Sequence, residues 1–245
     1  MYLRPLFATA ALALLGSAAS AQTLIHRYTF SGDASDSVGS ANGTLNSGAV
    51  ASGGNLTLDG IAANVSFTQH IVPATGAYSV AFFARQSALE GHYIEWLSQG
   101  FSGGPGFYVG YNPGGQVRAT DSWISTGKNF TANGSYQHIA LVTTGATSSL
   151  YLNGTLAASL ASGLNTTAGG DNTRFGEQFS GLGEFFAGDL KDMRIYTGAL
   201  SAPQVAALSN TPEPGMPALF SALGMTGAAF AMRRKRNCRT SVKSV

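Results

Sequence analysis

Retaining glycoside cleavage needs two carboxyl groups about 5–5.5 Å apart, one of them with a raised pKa. The 245-residue chain holds two pairs of neighbouring glutamates, and neither has that arrangement. Glu90 and Glu95 are five residues apart, so on one strand they face opposite ways. Glu177 and Glu184 are separated by Gln178-Phe179-Ser180-Gly181-Leu182-Gly183, a loop composition. The histidines His26, His70, His92 and His138 lack the His-x-His or His-Glu-x-x-His spacing of a metal centre. His138 falls in a predicted central strand and reads as a hydrogen-bonded sheet residue. Gly100-Phe101-Ser102-Gly103-Gly104-Pro105-Gly106 lacks the Lys-Ser/Thr ending and following helix of a phosphate cradle. No catalytic residue and no metal ligand is therefore assigned. Recognition chemistry is better represented. Tyr93, Trp96, Phe107, Tyr108, Tyr111 and Trp123 offer flat faces that stack on sugar rings, with Asn112, Arg118 and Asp121 as hydrogen-bonding partners. A folded core also consumes large rings, so most of these six are expected inside. Tyr111 and Trp123, beside Asn-Pro-Gly-Gly and Asp-Ser turns, are the ligand-binding candidates.

The ends of the chain carry a different kind of information. Met1 to Ala21 holds Arg4, an apolar stretch from Leu6 to Leu15, and the small-x-small site Ala19-Ser20-Ala21. This is a secretory signal peptide cleaved between Ala21 and Gln22, which makes the Sec export machinery a partner. At the other end, Thr211-Pro212-Glu213-Pro214-Gly215 precedes an uncharged stretch from Met216 to Met232, then Arg233-Arg234-Lys235-Arg236. Both prolines lack a donor N–H and fix φ, so the motif cannot continue a helix or a central strand. The uncharged stretch has about the minimum length, roughly 17 residues, that crosses hydrocarbon. The cations hold the C-terminus on the cytoplasmic side. This order resembles the PEP-CTERM sorting signal of bacterial envelope proteins. The resemblance implies an exosortase-type membrane protease as partner, with transient anchoring in the inner membrane before release to the envelope or exterior. A plain C-terminal anchor is the alternative, and Pro-Glu-Pro directly before the span favours sorting.

With both ends set aside, Gln22 to Thr211 holds seven Lys/Arg against eleven Asp/Glu, a net charge of −4. The overall pI of about 8.7 belongs to the termini. With no basic cluster, nucleic-acid binding has no electrostatic footprint. The single cysteine, Cys238, lies beyond the basic cluster, so the exported domain is held by its core without disulfides.

That domain must supply the surfaces on which any site is built, and it reads as β throughout. Runs rich in β-branched and aromatic residues alternate with Gly, Asn, Ser and Asp. They are Leu24–Phe30, Asn55–Asp59, Asn64–Gln69, Tyr78–Arg85, His92–Ser98, Gly106–Tyr111 and Gln116–Trp123, then Ser135–Thr144, Ser148–Ala158, Thr173–Gly176 and Phe185–Tyr196. Period-2 order with Gly-rich turns predicts an all-β antiparallel sandwich. Asn153-Gly154 is a hairpin turn, since both residues tolerate positive φ. One short helix is predicted over Ser201–Leu208, with Ser201 as N-cap and Pro203 in the first turn.

Leu24–Phe30, Asp36-Ser37-Val38-Gly39-Ser40, Asn42-Gly43-Thr44-Leu45 and Leu56-Thr57-Leu58-Asp59-Gly60 resemble the opening of LamG-like (concanavalin A-like) jelly-roll domains. Tyr136–Val142, Leu150–Gly154 and Phe186–Ser201 resemble the family's central strands, closing strand and short helix. The resemblance implies residues 22–210 as one LamG-like jelly roll, between a signal peptide at 1–21 and a sorting tail at 211–245. Glucanases of this architecture carry Glu-x-Asp-x-x-Glu on one strand, and no segment here has it. The family often holds a structural Ca²⁺, and Asp36 and Asp192 occupy acidic positions of the matched motifs. Lys191 stands where the closing strand usually carries an acid. No other cofactor is expected. The expected function is a non-enzymatic exported module that binds extracellular glycan or protein, touching the membrane only through its tail. A structural matrix or biofilm component without a specific ligand is the alternative, and a glycoside hydrolase a distant third.

Overall fold

The computed structural model describes residues 22–100, 107–119, 124–164, 171–178 and 183–211. The chain divides into two units, Met1–Thr211 and Pro212–Val245, and every described residue lies in the first. The signal segment through Ala21, the sorting motif Pro212-Glu213-Pro214, the cluster Arg233 to Arg236, and Asp121 and Trp123 all lie outside the described residues. Among those described, no helix is long and apolar enough to cross a membrane.

The alternation along Tyr78-Ser79-Val80-Ala81-Phe82-Phe83-Ala84-Arg85 builds one strand, β6 (Tyr78–Arg85), at the centre of an antiparallel sheet. Its neighbours on one side are β11 (Gln137–Thr143), β12 (Ser148–Leu152) and β13 (Thr155–Leu160). On the other side lies β15 (Ala187–Thr197), which pairs with β4 (Asn55–Asp59) along its first half and β1 (Thr23–Tyr28) along its second. The short β3 (Val50–Ser52) closes that edge. The second sheet runs β10 (Ile124–Asn129), β9 (Gln116–Ala119), β8 (Phe107–Tyr111), β7 (Ile94–Gly100), β14 (Asp171–Phe175), β5 (Asn64–Ser66), β2 (Thr44–Asn46). Every described pairing is antiparallel, as the period-2 pattern predicts.

The two sheets bury rings between them. Tyr28, Phe67 and Phe175 meet edge to face at 4.8–5.3 Å. Trp96 packs the same way against Phe82, Tyr111 and Phe130. Fully burying one such side chain contributes about 1.5–3 kcal/mol. The outward side of β6 and β11 carries small residues, Ala81 and Ala140, which leave room for Leu200 and Val205 of the closing segment. That segment forms α1 (Ala202–Ser209), where the Ser201 N–H donates to Gln204 Oε1 at 2.8 Å. The Asn153-Gly154 turn has φ of 49° and 73°, and Asn153 Oδ1 also accepts the His138 N–H at 2.9 Å. The described core runs from Tyr28 to Val205, so residues 22–211 hold a hydrophobic core of their own, as an independently folding domain does.

Candidate functional site

The strand alternation in β8 points Phe107, Val109 and Tyr111 inward and Tyr108 outward. This corrects the expectation for Tyr111. Its ring is fully buried, stacked on Phe130 at 5.6 Å and 9°, and edge-on to Trp96. Its hydroxyl donates to Gln86 Oε1 at 2.5 Å, and burial pushes the phenol above its ordinary range. No face is left for a ligand. Trp96 and Phe107 are buried alike. Asn112 is consumed by its own turn, its Oδ1 accepting the N–H groups of Gly114 and Gln116.

Among the described candidate rings, the one that reaches solvent is Tyr93, 42% exposed just before β7. The Arg118 guanidinium lies 4.3 Å from its ring centroid and 4.5 Å from that of Tyr108. Cross-strand register sets this up, because Glu95, Gly110 and Arg118 are direct partners on β7, β8 and β9. Gly110 is required between them: a Cβ there would sit 1.8 Å from the Ile94 carbonyl oxygen and 2.7 Å from Glu95 Oε2. Arg118 Nη2 donates to Glu95 Oε1 at 2.5 Å and to Glu184 Oε2 at 2.9 Å, while Nη1 donates to the Tyr108 hydroxyl at 3.1 Å. Glu95 and Arg118 are buried, whereas the Glu184 side chain is 26% exposed.

Two carboxylates thus do meet, though not the pairs adjacent in sequence. A single guanidinium thus lies between Glu95 and Glu184 and takes an oxygen of each. The cluster is an ion clamp that holds an exposed tyrosine from beneath.

Beyond the clamp, the outer side of this sheet is polar. Thr44, Ser66, Arg174, Ser98 and Tyr108 are register partners across five strands. Arg174 Nη1 pairs with Glu177 Oε2 at 2.6 Å, and Asn46 Nδ2 donates to Asn64 Oδ1 and Ser66 Oγ.

The calcium expectation does not fit the carboxylates proposed for it. Asp36 accepts N–H groups from Arg27, Val38, Gly39 and Ala41 and lies 2.6 Å from His26 Nδ1. Burial works against ionising it, but the bonds from Gly39, His26, Arg27 and Val38 outweigh that and hold its pKa at about 2. Asp192 is buried in a β15 bulge, not solvated, with its oxygens on Arg27 Nε (2.7 Å) and Arg194 Nη2 (2.5 Å). Lys191 lies 5.2 Å from the Tyr136 ring centroid. Donors surround both acids, so a cation would have to displace them. Among the described residues no group of three or more His, Cys, Asp and Glu could hold a metal.

His138 sits in a central strand as expected, but its side chain makes no hydrogen bond through Nδ1. It packs on Phe83 at 5.0 Å. Burial, with Arg194 nearby and Asp192 opposing, lowers its pKa to about 4.

Residues 59–206, more than half of the chain, match the family model Laminin_G_3, described as the concanavalin A-like lectin/glucanases superfamily. No curated protein sequence matches the chain. Among solved structures, domain 4 of AbnA, a GH43 extracellular arabinanase from Geobacillus stearothermophilus in complex with arabinotriose, is similar. Its TM-score is 0.64 at 21% identity, over 77% of this chain and 98% of that one. Trypanosoma rangeli sialidase in complex with sialic acid gives 0.60 at 15% identity, over 76% of this chain. The match spans only 32% of that enzyme. The botulinum neurotoxin serotype D binding domain gives 0.55 at 14% identity, over 76% of this chain and 51% of that one. At these identities the likeness is one of fold.

Proposed function

The chain belongs to the concanavalin A-like lectin/glucanase superfamily, and from that premise we propose that it is an exported, non-enzymatic module that binds glycan through the outer side of its second sheet. The observation that carries this is Tyr93: a half-exposed ring, backed by a buried guanidinium, with the Glu184 carboxylate on the same cation. A ring held from below stacks on a sugar with little ordering cost, and a carboxylate beside it accepts sugar hydroxyls. The related arabinanase domain, in complex with arabinotriose, supports the class of ligand. Hydrolysis is disfavoured because the two carboxylates that meet are both engaged by Arg118, whereas cleavage needs one acid and one free carboxylate facing the bond.

Export and sorting rest on the sequence. The signal segment ending at Ala21 sends the chain through the Sec machinery. Pro212-Glu213-Pro214 and Arg233-Arg234-Lys235-Arg236 present it to an exosortase-type protease at the inner membrane. The mature domain then resides in the envelope or outside the cell.

A glycan array probed with residues 22–211 and with Tyr93→Ala tests the binding. Saturable signals that disappear in the variant support it. Absence of signal across polysaccharides would leave a structural matrix component without a specific ligand.

A further inference from the structure

Where β6 ends and β15 begins, the described rim of the sandwich opens into a cleft of about 640 Å³. Sites for small molecules span roughly 300–1,000 Å³. Its floor is Gln86, only 5% exposed. The Tyr111 hydroxyl donates to the Gln86 side-chain oxygen Oε1, and Gln86 Nε2 donates to Glu90 Oε1 at 2.8 Å. The same Glu90 oxygen takes the Ala187 N–H at 2.7 Å, tying the 86–93 loop to β15. On the facing wall Asp189 accepts from Arg85 Nε at 2.7 Å and from the Thr57 hydroxyl at 2.5 Å. The Arg85 guanidinium in turn lies over the Tyr136 ring at 4.7 Å. These side chains are fixed before any ligand arrives, which cuts the ordering cost of binding. They are also reachable: Arg85 is 41% exposed at its side chain and Asp189 16%.

We propose that this cleft is a second recognition site, which takes a neutral saccharide unit. Four features set the ligand class. An arginine and an aspartate side by side present a donor and an acceptor to adjacent hydroxyls, each of which can both give and take a hydrogen bond. The exposed Ser87 adds a further hydroxyl. Leu89, 38% exposed, provides an apolar wall for the C–H face of a sugar ring. Two carboxylates against one guanidinium leave the lining net negative, which repels phosphates, sulfates and uronic acids. The ligand class rests on the glycan-binding reading above, but the site itself does not depend on Tyr93.

The test is titration of ¹⁵N-labelled residues 22–211 with a panel of neutral methyl hexosides and pentosides at tens of millimolar, followed by amide NMR. At least one glycoside should shift Arg85, Gly134 and Gly188 saturably, and 0.5 M NaCl should leave the affinity within about twofold, as for an uncharged ligand. Ala88→Trp fills the cleft from an exposed loop position without removing any contact named here, and should abolish these shifts. Tyr93→Ala should keep them. Amide shifts confined to the surroundings of Tyr93 would overturn the cleft while leaving the proposed platform standing. Shifts at the cleft that persist in Ala88→Trp, or no shift with any glycoside, would also overturn it.

Discussion

Arg118 is 2% exposed and holds a fully buried carboxylate, so replacing it with Met should be among the most damaging single changes in this domain. Removing one member of a buried ion pair leaves the other charge uncompensated, at a cost of about 3–5 kcal/mol. The stacked contacts to Tyr93 and Tyr108 are each worth about 0.5–2 kcal/mol, but they share the same guanidinium and do not add independently. The total therefore stays near the buried-charge figure. For a domain of this size each kcal/mol moves Tm by about 2–4 °C, so Arg118→Met should melt roughly 6–20 °C lower. Glu184 reaches water, so Glu184→Gln should cost only about 0–1 kcal/mol. The decisive comparison is the double variant Glu95→Met/Arg118→Met, in which no buried charge is stranded, since Glu184 reaches water, and the volume is refilled by apolar atoms. It should recover most of the loss, as buried pairs replaced by hydrophobic residues commonly do. Urea unfolding of residues 22–211, followed by tryptophan fluorescence, supplies all four values. If the single variant loses less than about 1 kcal/mol, or the double is as unstable as the single, the clamp is not the desolvated ion pair described here.

Three further outcomes follow from other parts of the molecule. Gly110→Ala would press a Cβ onto the Ile94 carbonyl oxygen, so it should lower stability by at least about 1–3 kcal/mol and disturb the β7–β8 amides; a neutral effect in urea would contradict that contact. His138 takes a proton near 6.5 when unfolded but only near 4 when folded, so the unfolded state binds more protons between those values. Stability should fall as pH drops through that window, by an amount of order 3 kcal/mol, and His138→Phe should flatten the fall; an unchanged slope would refute it. Intact mass of protein from its native envelope should show Gln22 as first residue and no Cys238; full-length C-termini in the surface fraction would refute sorting.

Much of the fold was legible because its longer strands carry strong patterns. Tyr78–Arg85 and Asn55–Asp59 coincide with β6 and β4, Asn153-Gly154 makes the turn, and Ser201 precedes α1. The three-residue strands Thr44–Asn46 and Val50–Ser52 are too short to show a period, and Ile124-Ser125-Thr126-Gly127-Lys128-Asn129 lacks the apolar alternation of a buried strand. The site was legible in residue type but not in position. Alternation shows that Tyr108 and Tyr111 face opposite ways, yet it does not say which side is the core. Tyr93 falls inside the predicted run His92–Ser98 but just before the actual start of β7 at Ile94, so the run's alternation does not mark its exposure. Glu95, Arg118 and Glu184 meet through cross-strand register and through Glu184 at φ 53°, and neither is written in local spacing.

Titration calorimetry with the best glycan from the array tests the binding face most directly, using the parent domain, Tyr93→Phe and Tyr93→Ala. Stacking needs the ring and not its hydroxyl, so Tyr93→Phe should bind within about twofold of the parent. Tyr93→Ala should lose about tenfold or more, which is 1.4 kcal/mol, while loss of the stack on Arg118 lowers Tm by only about 1–8 °C and leaves the domain folded at the assay temperature. Equal affinity in all three proteins would contradict the account, because it would place recognition away from the exposed ring on which it is built.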